Sequence, residues 1–150
     1  KFNNLTASHL DAFGLLDKME TWTHTPWLEI KPKSLPEGKT TILARSCRVH
    51  SNYSFWEQLD DAIIDASVFV SHPKEFEYFL YTFPRYKGRI ERLNTPALAD
   101  LASYICACDL FIGNQGLPHA LAEGMKKKIV NEVYRVYPSC LFKRKNVTYV

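Results

Sequence analysis

The sequence predicts an α/β fold in which a parallel sheet is covered by helices on both faces, and three observations lead to this prediction. The chain has 150 residues, with 46% hydrophobic and 23% charged residues, which suits one domain with a substantial core. From about residue 40, short apolar segments alternate about four times with segments of helical periodicity. Two of the apolar segments, Ser67–Ser71 and Leu110–Ile112, are typical of short buried strands. Because crossovers between parallel strands are right-handed, we expect a Rossmann-like arrangement.

The chain divides into an N-terminal helix and connector over residues 1–39 and a domain over residues 40–150. Ser8 is expected to cap a helix over residues 8–20, and four turn-forming residues predict an extended connector over residues 21–39: Pro26, Pro32, Pro36 and Gly38. The strands expected in the domain lie at residues 40–44, 67–71, 89–93, 110–112 and 129–133, with short strand-like segments at 140–142 and 147–150. The expected helices lie at 54–64 with Ser54 as cap, 73–83, 95–107 with Thr95 as cap, and 118–127.

The most informative segment is Asp109–Gly124, which combines a strand, a tight polar turn over Gly113–Leu117 and a new helix. Such a turn brings free backbone N–H groups to a helix N-terminus, which favours a phosphate or another anion. The turn follows the carboxyl end of its strand, where open α/β sheets bind their ligands. The segment therefore predicts an anion site at this edge of the sheet.

Four residues of the turn supply the features that an anion site needs. Gly113 and Gly116 allow a positive φ or a close approach by a ligand. Asn114 and Gln115 add side-chain donors and acceptors. A plain strand-to-helix turn without any ligand is an equally ordinary interpretation, because a single glycine-rich turn is a weak signal.

The loop after the first strand, Ala44–His50, is expected at the same edge of the sheet. Arg45 and Arg48 are suited to bind a diphosphate by bidentate hydrogen bonds, with Ser46 beside them. The alternative is a surface loop in which the arginines pair with acidic neighbours.

Three further side chains are expected near this edge. His72 follows the second strand, where it either contacts a ligand or, more simply, caps its helix. His119 lies in the first turn of the helix after the glycine turn, where it can donate to an anion. Glu132 ends the fifth strand, the position from which acidic residues of nucleotide-binding α/β folds accept hydrogen bonds from ribose. The residues alone identify no catalytic group.

Composition narrows the remaining possibilities. The net charge of +3 gives little reason to expect nucleic acid, and two short basic clusters, Lys126–Lys128 and Lys143–Lys145, are expected to be solvated. The four cysteines form no Cys-x-x-Cys pair and there is no Asp-x-Asp motif, so we expect no bound metal, no disulfide and no resident cofactor. No apolar run approaches the roughly 20 residues of a membrane span, and we expect a cytoplasmic protein. A start at Lys1 without Met suggests a fragment or a removed N-terminus.

Residues 40–142 resemble a known family. The resemblance rests on Arg45-Ser-Cys-Arg48, on Leu98-Ala-Asp-Leu-Ala102, and on Leu110–Gly124 followed by Ile129-Val-Asn-Glu132. In these segments the chain resembles the C-terminal domain of GT-B glycosyltransferases, most closely the group related to the lipopolysaccharide heptosyltransferases (family 9). The segment Gln115–His119 is one residue shorter than the family motif and lacks its Asp-Ser pair.

The resemblance implies a domain that binds the diphosphate of a nucleotide sugar through a set of seven residues: Arg45, Ser46, Arg48, Asn114, Gln115, Gly116 and His119. Glu132 would approach the ribose or the base. The implied reaction is metal-independent transfer of the sugar to a hydroxyl of a glycan or lipid-linked acceptor. The family's acceptor-binding N-terminal domain is not covered by the resemblance. A non-catalytic nucleotide- or glycan-binding module with the same fold is therefore an alternative.

Overall fold

A five-stranded parallel sheet forms the centre of the molecule in the computed structural model, which describes residues 5–48, 51–134, 136 and 141–150. Its strands are β1 (Thr41–Ala44), β2 (Ser67–Phe69), β3 (Leu110–Asn114), β4 (Lys128–Glu132) and β5 (Val147–Tyr149). They lie in the order β2-β1-β3-β4-β5, and every neighbouring pair is parallel. The α/β class predicted from the sequence is confirmed.

Helices cover both faces of the sheet, as predicted. They are α1 (Leu5–Ala12), α2 (Met19–His24), α3 (Tyr53–Glu57), α4 (Asp61–Asp65), α5 (Pro73–Thr82), α6 (Leu98–Ala107) and α7 (Leu117–Gly124). Because successive strand residues point to opposite faces, Leu43 packs with buried residues of α3, α4 and α5, whereas Ile42 packs with α6 and α7. Both side chains are fully buried, so each stabilises the fold by about 1.5–3 kcal/mol.

A segment beside β2 completes the edge of the sheet. The third predicted strand, at residues 89–93, is reduced to one parallel bridge between Phe69 and Arg92. The backbone N–H of Phe69 donates to the carbonyl of Glu91 (2.8 Å), and that of Leu93 donates to the carbonyl of Phe69 (2.9 Å). Pairing stops there because β2 has only three residues. With this segment included, the strand order matches that of the Rossmann sheet. In this chain the order reverses between β1 and β3.

The first predicted helix, over residues 8–20, is wrong as a single helix. Gly14 adopts a φ of +68°, which an L residue rarely adopts, and the chain turns there before α2. Ser8 lies inside α1 and does not cap it. Thr95 is not a cap either, because α6 begins three residues later at Leu98.

The predicted helix over residues 54–64 is also divided, into α3 and α4. Asn52, rather than Ser54, caps α3 by accepting a backbone N–H at 3.1 Å. Asp60 caps α4 in the same way at 2.8 Å. Asp60 lies within the predicted helix, and by capping a new helix start there it divides the segment into two short helices.

The connector lies against the face of the sheet that carries α6 and α7. Leu28, Ile30 and Leu35 pack against the core on that side. The backbone N–H groups of Trp27 and Leu28 donate to the carbonyl of Gly124 at 3.0 and 3.1 Å, which satisfies the C-terminus of α7. No helix in the described part of the chain is long and apolar enough to cross a membrane. His50 and Cys140 lie outside the described residues, and Leu141 and Phe142 form no strand.

Candidate functional site

A cleft of about 490 Å³ opens at the carboxyl edge of the sheet, where the strand order reverses. Its walls are the loop after β1, the turn after β3, the junction between β2 and α5, and the segment at residues 92–96. Its polar lining includes Ser46, Arg48, Ser71, His72, Glu75, Arg92, Asn94, Thr95 and Asn114, and its apolar lining includes Ala44, Val70, Pro96, Leu101, Leu117 and Pro118. This size and mixed lining suit a small molecule with polar groups.

Asn114 joins the turn after β3 to the loop after β1. Its Oδ1 accepts the backbone N–H of Ser46 (2.9 Å), and its Nδ2 donates to the carbonyl of Ser46 (3.2 Å). Only 4% of Asn114 is exposed. Because the amide is used as a bridge between two backbone segments, Asn114 supports the position of the loop that carries Arg48.

Arg45 and Glu132 form a buried ion pair beneath the loop. Arg45 Nε lies 2.8 Å from Glu132 Oε2, and Nη2 lies 3.1 Å from Oε1. The side chains are 1% and 0% exposed, and the guanidinium lies 4.8 Å from the ring centroid of Tyr53 and 5.1 Å from that of Phe83. Arg45 therefore follows the alternative considered for this loop, in which an arginine pairs with an acidic residue.

Glu132 accepts three further hydrogen bonds in addition to those from Arg45. They come from the backbone N–H groups of Ser51 (2.7 Å) and Asn52 (2.8 Å) and from Trp56 Nε1 (2.8 Å). Burial raises the pKa of Glu132, but the hydrogen bonds from Arg45 and Asn52 outweigh it and hold the pKa below its ordinary value. Both carboxylate oxygens of Glu132 accept hydrogen bonds from protein donors. The predicted contact of Glu132 with ribose stays a prediction.

The two glycines of the turn have different roles, and neither adopts the left-handed backbone conformation that favours glycine. A Cβ on Gly113 would lie 2.7 Å from the carbonyl oxygen of Ala44 and 2.8 Å from the ring of Phe111, so only glycine fits between β1 and β3. Gly116 has an extended φ of 173° and precedes α7 without a side-chain cap. The first N–H groups of α7 therefore lie beside the cleft that Gly116 and Leu117 line.

Gln115 and His119 are not among the described residues that line the cleft. Gln115 Oε1 accepts the backbone N–H of Tyr134 (2.9 Å). His119 is 2% exposed, and its Nε2 has no hydrogen-bond partner among the described residues. Burial lowers the pKa of His119 to about 4; the charge of Glu123 opposes this shift and that of Arg144 adds to it. The predicted contacts of Gln115 and His119 with a diphosphate stay untested.

His72 caps α5, which confirms the simpler of its two interpretations. Its Nδ1 accepts the backbone N–H of Lys74 at 3.3 Å. Because Nδ1 is the acceptor, Nε2 carries the proton of the neutral ring. The side chain also lines the cleft, so that a ligand there meets a hydrogen-bond donor.

The arginines differ in whether they have acidic partners. Six lie in the described residues, and four of them pair with carboxylates: Arg45, Arg85, Arg89 and Arg144. Arg48 and Arg92 form no ion pair with any described residue, and both line the cleft. Arg92 was not among the site residues predicted from the sequence. It lies near the end of the predicted third strand, at residues 89–93, and the rule that ligands bind beyond strand ends would have indicated it.

The basic clusters are partly buried, contrary to the expectation of solvated runs. Lys126 Nζ lies 2.8 Å from Glu123 Oε1, and Arg144 Nε lies 3.0 Å from both oxygens of the same carboxylate. Lys127 Nζ donates to the carbonyl of Cys106 (3.0 Å). These cations form ion pairs and hydrogen bonds with α6 and α7. Fewer of them are therefore available to bind a polyanion such as nucleic acid.

Comparisons with known proteins give no relative. A scan against protein-family models, a search of curated proteins and a search of solved structures each found no match. Within the described residues, no group of three or more His, Cys, Asp or Glu side chains is arranged to hold a metal ion.

Proposed function

We propose that this domain binds the diphosphate of a nucleotide sugar in the cleft and serves as the donor-binding part of a glycosyltransferase. The observation that carries the proposal is the pair Arg48 and Arg92, which have no acidic partner among the described residues and both line one cleft at the reversal point of a Rossmann-like sheet. A cleft lined by guanidinium groups that no described carboxylate neutralises favours an anionic ligand.

The diphosphate would lie between the loop after β1 and the start of α7. Arg48 and Ser46 come from the loop, and the backbone N–H groups after Gly116 come from the helix. Asn114 and the Arg45–Glu132 pair support the loop, and although Arg45 and Asn114 also line the cleft, their polar atoms are engaged by protein partners, so we assign them the role of positioning Arg48. This division revises the ligand set implied by the resemblance: Ser46, Arg48 and Gly116 remain, and Arg45, Asn114 and Glu132 become positioning residues.

In a transfer reaction, the same groups would stabilise the leaving diphosphate. The bond from the anomeric carbon to the diphosphate oxygen breaks, and negative charge collects on that oxygen. The start of α7 is held in place by the helix, so its N–H groups would meet this charge without rearrangement, and the exposed Arg48 side chain would add a positive charge. The proposed role asks for no metal, because guanidinium and backbone N–H groups supply the positive field.

A non-catalytic binding module is the second candidate, and the exposed aromatic side chains of the N-terminal region favour it. Trp22 is 47% exposed and Trp27 is 51% exposed, and both border a shallow hollow with Pro26. Exposed aromatic rings of this kind are frequent at surfaces that bind partners. Release of free sugar or its transfer from a bound nucleotide sugar distinguishes the enzyme from the module.

Isothermal titration with uridine, guanosine, adenosine and cytidine diphosphates tests the proposal. We expect at least one of them to bind, and Arg48→Ala to weaken its binding about tenfold or more, since a charge-assisted hydrogen bond contributes about 1.5–3 kcal/mol. Lys87→Gln is the matched control, because it removes an exposed positive charge that does not line the cleft. Absence of binding at millimolar concentration of all four ligands would reject the proposal.

A further inference from the structure

The cleft carries a further arginine, Arg92, at the edge of the sheet. Arg92 belongs to the segment that pairs with β2 at the edge of the sheet, whereas Arg48 follows β1. Two strand spacings separate the backbone of the edge segment from β1, which amounts to roughly 10 Å. A diphosphate bound at Arg48 and the start of α7 therefore leaves Arg92 for another part of the same ligand.

The contacts of Arg92 leave one edge of its guanidinium open. Nη1 donates to the backbone carbonyls of Leu93 (3.2 Å) and Ser71 (3.4 Å), which hold the side chain in the wall of the cleft. Among the described residues, no acceptor contacts its Nε or Nη2. In Arg45 and Arg144, the Nε and Nη2 edge binds a carboxylate: that of Glu132 and that of Glu123.

The surroundings of Arg92 suit a polar ring with a negative substituent. Asn94 and Thr95 lie next to it in the lining, and Val70, Pro96 and Leu101 provide apolar surface. The one carboxylate among the described lining residues is Glu75. Burial raises the pKa of the Cys47 thiol and the charge of Glu75 raises it further, so Glu75 lies within electrostatic reach of the loop after β1. Among the described residues, Glu75 forms no ion pair with Arg92.

We infer that Arg92 binds a carboxylate on the sugar of the ligand, so that the donor class is a nucleotide sugar of a uronic acid. This inference rests on the proposed function. The open guanidinium edge matches the two oxygens of a planar carboxylate, and Asn94 and Thr95 supply hydrogen-bonding groups for the sugar hydroxyls.

Two sugar phosphates that differ only at carbon 6 test the inference: glucose 1-phosphate and glucuronic acid 1-phosphate. Their dissociation constants are measured by titration into the ¹⁵N-labelled protein, with amide chemical shifts as the readout. We expect the unsubstituted protein to bind the uronic acid at least about tenfold more tightly. Arg92→Gln should bring the ratio of the two constants close to one and leave binding of glucose 1-phosphate within about twofold. Arg92→Lys should give an intermediate ratio, because it keeps the charge and loses the bidentate edge.

The controls separate this inference from the proposed function. Lys87→Gln removes a charge outside the cleft and should preserve the ratio. Binding of both compounds with equal constants by the unsubstituted protein would overturn the inference and leave the proposed function intact. If neither compound nor any nucleoside diphosphate binds, both proposals are rejected. The ratio in the unsubstituted protein decides the matter even if an Arg92 variant fails to fold.

Discussion

The carboxyl edge of the sheet holds arginines in two different arrangements. At the end of β4, which we call the clamp side, Arg45 and Glu132 form a buried ion pair. Along β1, β2 and the edge segment, the cleft side, Arg48 and Arg92 have no carboxylate partner among the described residues. Arg45 and Arg48 are three residues apart in one loop and both line the cleft, but of these two only Arg45 has a carboxylate partner among the described residues.

The difference between the two sides separates stability from binding. A buried charge whose partner is removed costs several kcal/mol, whereas an exposed one costs little. Substitutions on the clamp side should therefore change the free energy of unfolding, and substitutions on the cleft side should change ligand affinity. The following predictions test this division, beginning with the largest expected effect.

Glu132→Gln should lower the free energy of unfolding by about 3–5 kcal/mol, because it leaves the buried Arg45 without its counter-charge. Chemical denaturation measures the change. The double variant Arg45→Met, Glu132→Gln should recover part of the loss, since it removes the buried charge of Arg45 and keeps an amide oxygen as acceptor for the N–H groups of Ser51, Asn52 and Trp56. Equal losses in the single and double variants would show that the pairing of these charges is not what stabilises the clamp side.

Acidification should destabilise the protein through His119, which is buried in the first turn of α7. The pKa of His119 in the folded protein is about 4, below its ordinary value of 6.5, so the unfolded chain takes up the proton first. The contribution is fully present above pH 6.5 and is lost as the pH falls towards 4, by at most about 3 kcal/mol. Denaturation midpoints measured across this range should change less in His119→Leu. If the denaturation midpoint of His119→Leu depends on pH as strongly as that of the unsubstituted protein, His119 is not the group responsible for the loss of stability.

The two glycines of the turn should respond differently to the same substitution. Gly113→Ala should lower the free energy of unfolding by about 1–3 kcal/mol, because the new Cβ would meet the Ala44 carbonyl at 2.7 Å. Gly116→Ala should change it by less than about 0.5 kcal/mol, because its nearest contact would be Pro118 Cδ at 3.9 Å. Thermal denaturation of the two variants compares them directly. A Gly116→Ala effect as large as that of Gly113→Ala would mean that the turn, rather than the strand contact, requires glycine.

Much of the fold could be predicted because strands and helices leave local patterns. The apolar segments at residues 67–71 and 110–112 and the strand before Glu132 all lie in the sheet. Helix boundaries were less accurate, since Asp60 and Gly14 each interrupt an apolar period that looks continuous in the sequence, and Asn52 rather than Ser54 sets the start of α3. Capping depends on which nearby side chain reaches a free N–H group, and several candidates compete for each.

The candidate site shows the same limit. The sequence indicated the correct edge of the sheet, because the position of a loop after a strand is fixed by chain order. It did not indicate which of Arg45 and Arg48 is engaged by Glu132, which is 87 residues from Arg45. The position of His119 after the glycine turn predicted a contact with the anion. In the structure His119 is buried, and it is not among the described residues that line the cleft.

The sequence by itself determined the α/β class, the order of the elements and the edge of the sheet at which polar residues gather. Periodicity and chain order carry that information, and both are local. Only the tertiary structure decided which charges are buried in pairs and which face the cleft, because long-range contacts and burial select the partner of each side chain. The same residue type, arginine, is therefore part of the clamp at position 45 and part of the cleft at positions 48 and 92.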